Sequence, residues 1–383
     1  MRYVIAIVGF FVVAMMLWDA FEVIILPRRV TRRIRFARLF YRFTWRLRSM
    51  VAELIPLDRP RENYLSYFGP LSLLLLLTAW VTGLVAGFAM MQWGLQDRLN
   101  VAERAAPFTT YLYLSGTTFF TLGLGDVIPL GRLGKELVVL EAGLGFAFLG
   151  GVVTYLPTIY QAFSRREVGI SLLDARAGSP PSAGELLRRN GNDMSGLEQL
   201  LGKWERWSAE LLESHISYPV LVYFHSQHVN QSWLEALTAI LDTSALVIAG
   251  IDGGPIRQAK LTFAMARHAV VELTQNFILS PPAAGRDRLP PSSFIELRKL
   301  LAEAAVSTRA GTATEQELSE LRGMYEPYVQ ALSKYLLISM PPWFRISETP
   351  DSWQTGSWET PILSIATENS AIQETNGKQF AEG

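Results

Sequence analysis

The stretch Ser115-Gly116-Thr117-Thr118-Phe119-Phe120-Thr121-Leu122-Gly123-Leu124-Gly125-Asp126 decides how this chain is read. Its second half alternates Thr121, Gly123 and Gly125 with Leu122 and Leu124, and ends on an acid, Asp126. A path that strips water from a monovalent cation must offer replacement oxygens at every step. Backbone carbonyls supply them only along a strand whose conformations glycine tolerates and most residues do not. Alternating glycines suit a strand whose carbonyls all face one axis, with the Thr121 hydroxyl and carbonyl at its inner end. The residues before it, from Phe108 to Leu122, are apolar. A short helix there would aim the negative end of its dipole at the ion path. A bare G-x-G is common; its setting carries the information.

That setting is a membrane. Tyr3 to Leu26 is apolar apart from Asp19 and Glu22, Phe68 to Met91 has no charged residue, and Leu137 to Phe163 carries only Glu141. Each is long enough for a helix to cross a hydrocarbon layer of roughly 30 Å. The run from Phe108 to Leu122 is too short to cross and is followed by glycines, the pattern of a re-entrant segment. A secretory signal is the competing reading of the first run. Its length, and the lack of a small-residue cleavage site before Arg28 and Arg29, favour a retained anchor.

Arginine sets the expected orientation. Arg28, Arg29, Arg32, Arg33, Arg35, Arg38, Arg42, Arg46 and Arg48 follow the first run, whereas the loop after the second balances Asp97 and Glu103 against Arg98 and Arg104. The positive-inside bias then places the N-terminus outside the cell membrane, the arginines in the cytoplasm, and everything after about residue 164 inside; Arg165 and Arg166 agree. Arg35, Arg38, Arg42 and Arg46 share one helical face, and Phe36, Phe40, Phe43 and Leu47 another. This is a basic amphipathic helix on the inner leaflet, worth ~1 kcal/mol per arginine against anionic lipid. No four-span module precedes the pore, so these arginines are not read as a voltage sensor. Asp19 and Glu22 lie three apart on one face, placed to pair with nearby arginines.

The segment from about 68 to 163 resembles the two-transmembrane pore unit of the potassium-channel superfamily, whose filter reads T-[VIL]-G-[YFL]-G-D. The resemblance implies that Thr121, Leu122, Gly123, Leu124 and Gly125 line a selectivity filter, with Asp126 at its outer mouth. It also implies a homotetramer, since one chain has one such strand. The match departs from the commonest form at Leu124, where tyrosine or phenylalanine is usual, and at Leu114, where an aromatic often braces the filter. Both changes remove a hydrogen-bonded aromatic cuff. A non-selective monovalent cation channel, or a membrane-anchored signalling or scaffold protein that does not conduct, remains the alternative. The third span resembles the family's inner helix. Gly143 or Gly145 stands near its hinge glycine, and Pro157 removes a helical hydrogen bond and invites a kink. Gly150 and Gly151 read as packing glycines. Glu141, a carboxyl within the span, is read as lining the cavity or bracing the filter from behind, with a protonated or hydrogen-bonded packing residue as the alternative.

The fold expected is therefore mainly α: three transmembrane helices per subunit, a re-entrant pore helix with filter, and a mostly helical cytoplasmic C-terminal domain. The segments are an N-terminal helix (1–27), an arginine-rich stretch (28–67), a pore domain (68–163), a regulatory domain (164–345) and a disordered tail (346–383) rich in Ser, Thr, Glu and Gln. Helical patterns fall at 196–215, 232–249, 256–277, 293–306 and 315–338, with Asp193 as a cap. Pro281-Pro282 and Pro290-Pro291 bracket a linker, and Ala245 to Ile251 reads equally as strand or buried helix.

Composition closes several other routes. Of 383 residues, 49% are hydrophobic and 18% charged, which is greasy for a soluble protein; the net charge of zero gives no bias towards nucleic acid. The absence of cysteine removes thiolate metal sites and cysteine nucleophiles. His225 and His228 form an H-x-x-H without a third ligand, better read as surface or packing histidines than as a metal site. Gly250-Ile251-Asp252-Gly253-Gly254-Pro255 has the wrong spacing for a nucleotide-binding turn, and no hydrolase triad or phosphate loop is visible. No enzyme and no cofactor is expected; potassium enters only as the permeant ion, and the regulator of the cytoplasmic domain is not legible.

Overall fold

The computed structural model describes residues 2–26, 35–55, 59–96, 98–101, 106–226, 231–278, 285, 287–309, 311–345 and 351. Among them the chain is built of helices with no named strand. Arg28, Arg29, Arg32, Arg33, Asp97, Glu103, Arg104, His228, Pro281-Pro282 and most of the expected tail lie outside the described residues. The chain divides into two units, residues 1–165 with 213–225, and residues 166–212 with 226–383.

In the first unit, α1 (Arg2–Ile24) packs along α4 (Phe68–Leu95). Small residues allow this: a Cβ on Gly9 would stand 2.6 Å from the Gly87 carbonyl oxygen, and one on Gly94 would stand 2.6 Å from the Ala6 nitrogen. Backbones that approach so closely gain van der Waals contact without needing a hydrophobic drive, as helices in lipid must. The carboxyl pair of α1 divides its work. Glu22 pairs with Arg35 at 3.1 Å and accepts from the Trp18 indole at 2.8 Å. Asp19 instead accepts from the Trp80 indole at 2.9 Å and from the Ala37 N–H at 3.1 Å. Among the described residues the expected arginine pairing is made by Glu22 and not by Asp19. Asp19 satisfies a free N–H in the first turn of α2 (Phe36–Glu53), whose own N-cap residue, Arg35, gives no side-chain capping bond.

The amphipathic helix α2 is real but divides into three strips rather than two. Ala37, Tyr41, Trp45 and Ala52 face the protein, where Tyr41 and Trp45 lie against Tyr223, and Trp45 also against Phe68. Leu39, Phe43, Leu47, Met50 and Leu54 form an exposed apolar stripe, and Arg38, Arg42 and Arg46 run between the two. Phe36 and Phe40 are half-buried, so the apolar face is rotated from the one expected, because aromatic packing on Tyr223 sets the inward side. Tyr223 belongs to the 3-10 turn Pro219–Tyr223, a segment expected in the cytoplasmic domain that folds with the first unit. The short α3 (Arg59–Ser66) leads into α4, and α5 (Phe108–Phe119) packs on α4. The last long helix, α6 (Arg132–Ala177), has Pro157 inside it and continues past the expected limit of 163.

The second unit is centred on α9 (Trp233–Gly250), every residue of which is buried. Around it lie α7 (Ala183–Asn190), α10 (Ile256–Phe277), α12 (Thr312–Gly323) and α13 (Glu326–Leu336), with α11 (Pro291–Glu303) on α7. Asp193 accepts from the Gly196 N–H at 2.9 Å, capping α8 (Met194–Ser217) as expected. The ambiguous stretch from Ala245 is helix to Gly250, after which Ile251 bridges Thr308. The single helix expected over 315–338 breaks after Gly323, because Pro327 has no N–H to give to the Gly323 carbonyl. Asp351, inside the expected disordered tail, is buried and bonded to Arg189 at 2.7 Å and Arg345 at 2.6 Å.

Four helical stretches among the described residues are long and apolar enough to cross a membrane: Arg2–Ile24, Arg61–Leu95, Arg132–Ala177 and Trp233–Gly250. The sequence count was three. The fourth, α9, holds Asp242 in a bidentate pair with Arg288 at 2.8 and 3.1 Å, and Tyr325 donates to the same carboxylate at 2.5 Å. Burial works against the charge on Arg288, yet Asp242 and its neighbours Tyr325 and Glu326 raise its pKa above the ordinary value.

Candidate functional site

Pro107 opens α5 in extended geometry, and Tyr111, Leu114, Ser115, Thr118 and Phe119 bury one side of the helix. Beneath it Ala89, Leu99, Tyr111 and Leu114 form a core with Trp93, Phe108, Val127 and Val138 around it. The helix ends by folding its own continuation back onto its last carbonyls. Phe120 N–H donates to Gly116 at 3.1 Å, Thr121 N–H to Thr118 at 2.9 Å, and Leu122 and Gly123 N–H both to Thr117, at 2.8 and 3.4 Å. The loop therefore begins at the negative end of the α5 dipole.

From there the backbone alternates. Thr121, Gly123 and Gly125 have φ of 55°, 54° and 76°, and the leucines between them are not in the positive-φ region. Alternating signs of φ turn successive peptide planes so that neighbouring carbonyls point to the same side, the geometry that replaces an ion's water shell. Glycine occupies this region at little cost, whereas an L-residue pays roughly 1–2 kcal/mol, a cost that Thr121 bears here. The leucine side chains at 122 and 124 are 61% and 63% exposed in the single chain.

The far end of the loop is tied down. The Tyr113 hydroxyl on α5 donates to Asp126 at 2.8 Å. Asn100 donates its N–H to the Ile128 carbonyl at 3.1 Å and accepts from the Ile128 N–H at 2.7 Å, while Leu130 N–H reaches the Arg98 carbonyl at 2.7 Å. A hydrogen-bonded aromatic ring is thus present at this end of the loop even with leucine at 124, and it is offered by Tyr113.

Behind the loop stands α6. A Cβ on Gly145 would come 2.0 Å from the Phe119 carbonyl oxygen, while Gly143 and Gly150 have no atom within 4 Å of that position. Gly145 is where α6 touches the end of α5, and Gly143 faces open space in the single chain. Glu141 is fully buried: its Oε1 meets the Ser115 hydroxyl, and its Oε2 accepts from Gln92 Nε2 at 3.2 Å. Of the two expected positions for this carboxyl, the geometry is that of a brace between α4, α5 and α6.

Residues 73–162 match the ion channel family. That match supports an ion channel of the potassium-channel-like superfamily and covers both long helices and the loop just described. The uncharacterized membrane protein YdjJ of Bacillus subtilis (strain 168) is 27% identical over 187 residues, 48% of this chain and 54% of the relative. The chain spans about half the length of the curated relative it matches. No solved structure matches it significantly. The chain is a membrane protein, and the channel-like segment holds Thr121 to Asp126, Glu141, Gly143, Gly145 and Pro157. His225 lies outside the matched segment, and the described residues contain no group of three or more His, Asp or Glu placed to hold a metal.

Sequence reasoning passed over Tyr113, Ser115, Gln92 and the small-residue stripe of α4. The last was legible as Gly83-x-x-x-Gly87, the spacing that lets membrane helices approach closely. Gln92 and Ser115 also carried a signal, since a polar side chain in an apolar run seeks a partner on another helix.

Proposed function

We propose that four copies of this chain form a potassium channel, each giving the strand Thr121–Gly125 to one axial filter, with Asp126 at the cation-attracting mouth. The observation that carries this reading is the alternation of left-handed backbone at Thr121, Gly123 and Gly125 at the negative end of α5. Three helices cross the bilayer: α1, α4 and α6. The fourth apolar helix, α9, stays in the cytoplasm, because its whole surface is already covered by protein and includes an ion pair. The N-terminus is outside and the second unit inside, the side to which Arg28 to Arg48 assign the first connection. Gating acts through α6, with Gly143 and Pro157 as its points of bending and the second unit as its controller.

The three strips of α2 support contact with anionic lipid. One side holds the protein, the opposite side offers Leu39, Phe43 and Leu47 to acyl chains, and Arg38, Arg42 and Arg46 lie at headgroup level.

Reversal potentials of the reconstituted protein under bi-ionic potassium and sodium test the reading. A value displaced towards the potassium equilibrium potential is expected. A value near zero makes this a non-selective cation channel, and no flux at all leaves a membrane scaffold.

A further inference from the structure

We infer that Glu141 is a positioning residue for the pore loop and that it works as a neutral acid, giving its carboxyl proton to Ser115. Ser115, Glu141 and Gln92 are buried together, so every contact among them needs a proton from within the cluster. A serine hydroxyl has one proton and two lone pairs, and a backbone carbonyl only accepts. Ser115 Oγ lies 2.8 Å from the Val85 carbonyl oxygen, and it also meets Glu141 Oε1. Its single proton serves one of these contacts. If it goes to Val85, the second contact needs a proton from the carboxyl. If it goes to a carboxylate, Val85 and Ser115 are left as two oxygens in contact with no proton between them.

The other polar side chain at the cluster supplies no proton to the contact between Ser115 and Glu141. Gln92 gives one N–H to Glu141 Oε2, while its own Oε1 is buried with no hydrogen bond. Among the described residues no cation pairs with this carboxyl, and Arg2, the one cation of α1, is exposed. From α4 the cluster is faced by Val85 and Gln92 and from α5 by Ser115, and neither helix carries a charged residue within its bounds. On α6 itself the nearest charged residues in sequence are Glu136 and Arg165. On α1, which packs against α4, Asp19 and Glu22 are engaged with Trp80, Ala37, Trp18 and Arg35. A buried charge without a partner is costly, and one added proton removes that cost while filling an empty contact.

The place of the cluster gives it a role. Ser115 stands two residues before Thr117, whose carbonyl holds the N–H groups of Leu122 and Gly123. The proton on Glu141 therefore ties α6 and α4 to the turn of α5 from which the loop hangs. The functional part of this inference rests on the pore reading above; the proton itself does not.

Infrared spectra of the membrane-reconstituted protein, with Glu141→Gln as the difference partner, test the proton directly at neutral pH. The carbonyl stretch of a protonated carboxylic acid should be present in the wild type and lost in the variant. Loss of carboxylate bands instead would overturn the inference. The amide of Glu141→Gln can donate to Ser115 and accept from Gln92, so this variant should keep wild-type thermal stability, and Glu141→Ala should not. In current recordings the wild type should lose current at alkaline pH as Glu141 gives up its proton, and Glu141→Gln should keep the wild-type potassium-to-sodium ratio and show no such fall. A variant with the same alkaline fall would remove Glu141 as its origin and overturn the positioning role. If the acid band is present and the wild type passes no ions, the protonated brace stands and the pore reading fails.

Discussion

A methyl group at position 145 would press on the Phe119 carbonyl at 2.0 Å, and one at position 143 would touch nothing within 4 Å. The first contact is backbone against backbone, so neither side can rotate away. Gly145→Ala should therefore force α6 from the end of α5, at a cost typical of overpacking, about 1–3 kcal/mol. Gly143→Ala should not lower the unfolding temperature of the solubilised protein, since alanine favours a helix interior by roughly 0.5–1 kcal/mol, and in recordings it should alter gating alone. Equal unfolding temperatures for the two variants would contradict this division. In the sequence the two glycines look alike, because a hinge and a close contact call for the same residue. What separates them is a partner from another helix, Phe119, which no local pattern announces. Glu141 is the converse case. A lone acid in an apolar run marks itself as unusual, but its partners Ser115 and Gln92 come from two other helices, and only their positions tell a brace from a cavity lining. The backbone alternation from Thr121 to Gly125 was legible, since it is a local property that the glycines at 123 and 125 announce.

Helices were readable where one period dominated and misread where two surfaces competed. The helices α1, α4 and α6 stand out by long apolar stretches with few charges, and α5 by falling short. On α2 the sequence showed arginines against aromatics, yet Tyr41 and Trp45 face inward because Tyr223, far along the chain, offers them rings at 5.9 and 5.0 Å. The apolar helix α9 is the sharper example, since length and composition alone also admit it to a membrane. Its buried Asp242 is held by Arg288, 46 residues away, and that partner is invisible to any window along the helix. Removing one side of a buried pair leaves an uncompensated charge, which costs about 3–5 kcal/mol, whereas replacing both sides with apolar residues of similar volume is often neutral. Arg288→Met should thus lower the unfolding temperature of the protein sharply. The double change Asp242→Leu with Arg288→Met should recover most of the loss. A double variant as unstable as the single one would mean that the pair contributes through Tyr325 and Glu326 rather than through its own charge balance.

The single chain is unfinished at the level of the whole molecule. In the apolar window of α6 only 11% is buried, against 50% in that of α4, so most of this helix has yet to find its surroundings. Lipid alone would cover a helix, but it would not cover the loop. Leu122 and Leu124 lie in the open beside a strand whose carbonyls, on the proposed reading, meet hydrated ions. Side chains and carbonyls leave the backbone on opposite sides, so the leucines need a dry wall behind the strand while the carbonyls face the axis. One chain has one such strand and no second T-x-G-x-G, so the wall and the remaining oxygens must come from other copies around a rotation axis. We expect native mass measurement in mild detergent to find four copies of the 42.8 kDa chain. Burial of a leucine contributes roughly 1.5–3 kcal/mol, and the ring repeats that contribution in every subunit. Leu122→Asp should therefore dissociate the assembly at protein concentrations where the wild type remains whole, while the helical content of each chain is kept. A wild type that is monomeric or dimeric under these conditions would remove the axial filter, and with it the reason for the alternating backbone. A tetramer indifferent to Leu122→Asp would instead put the subunit contact on α6 and leave the leucines facing water.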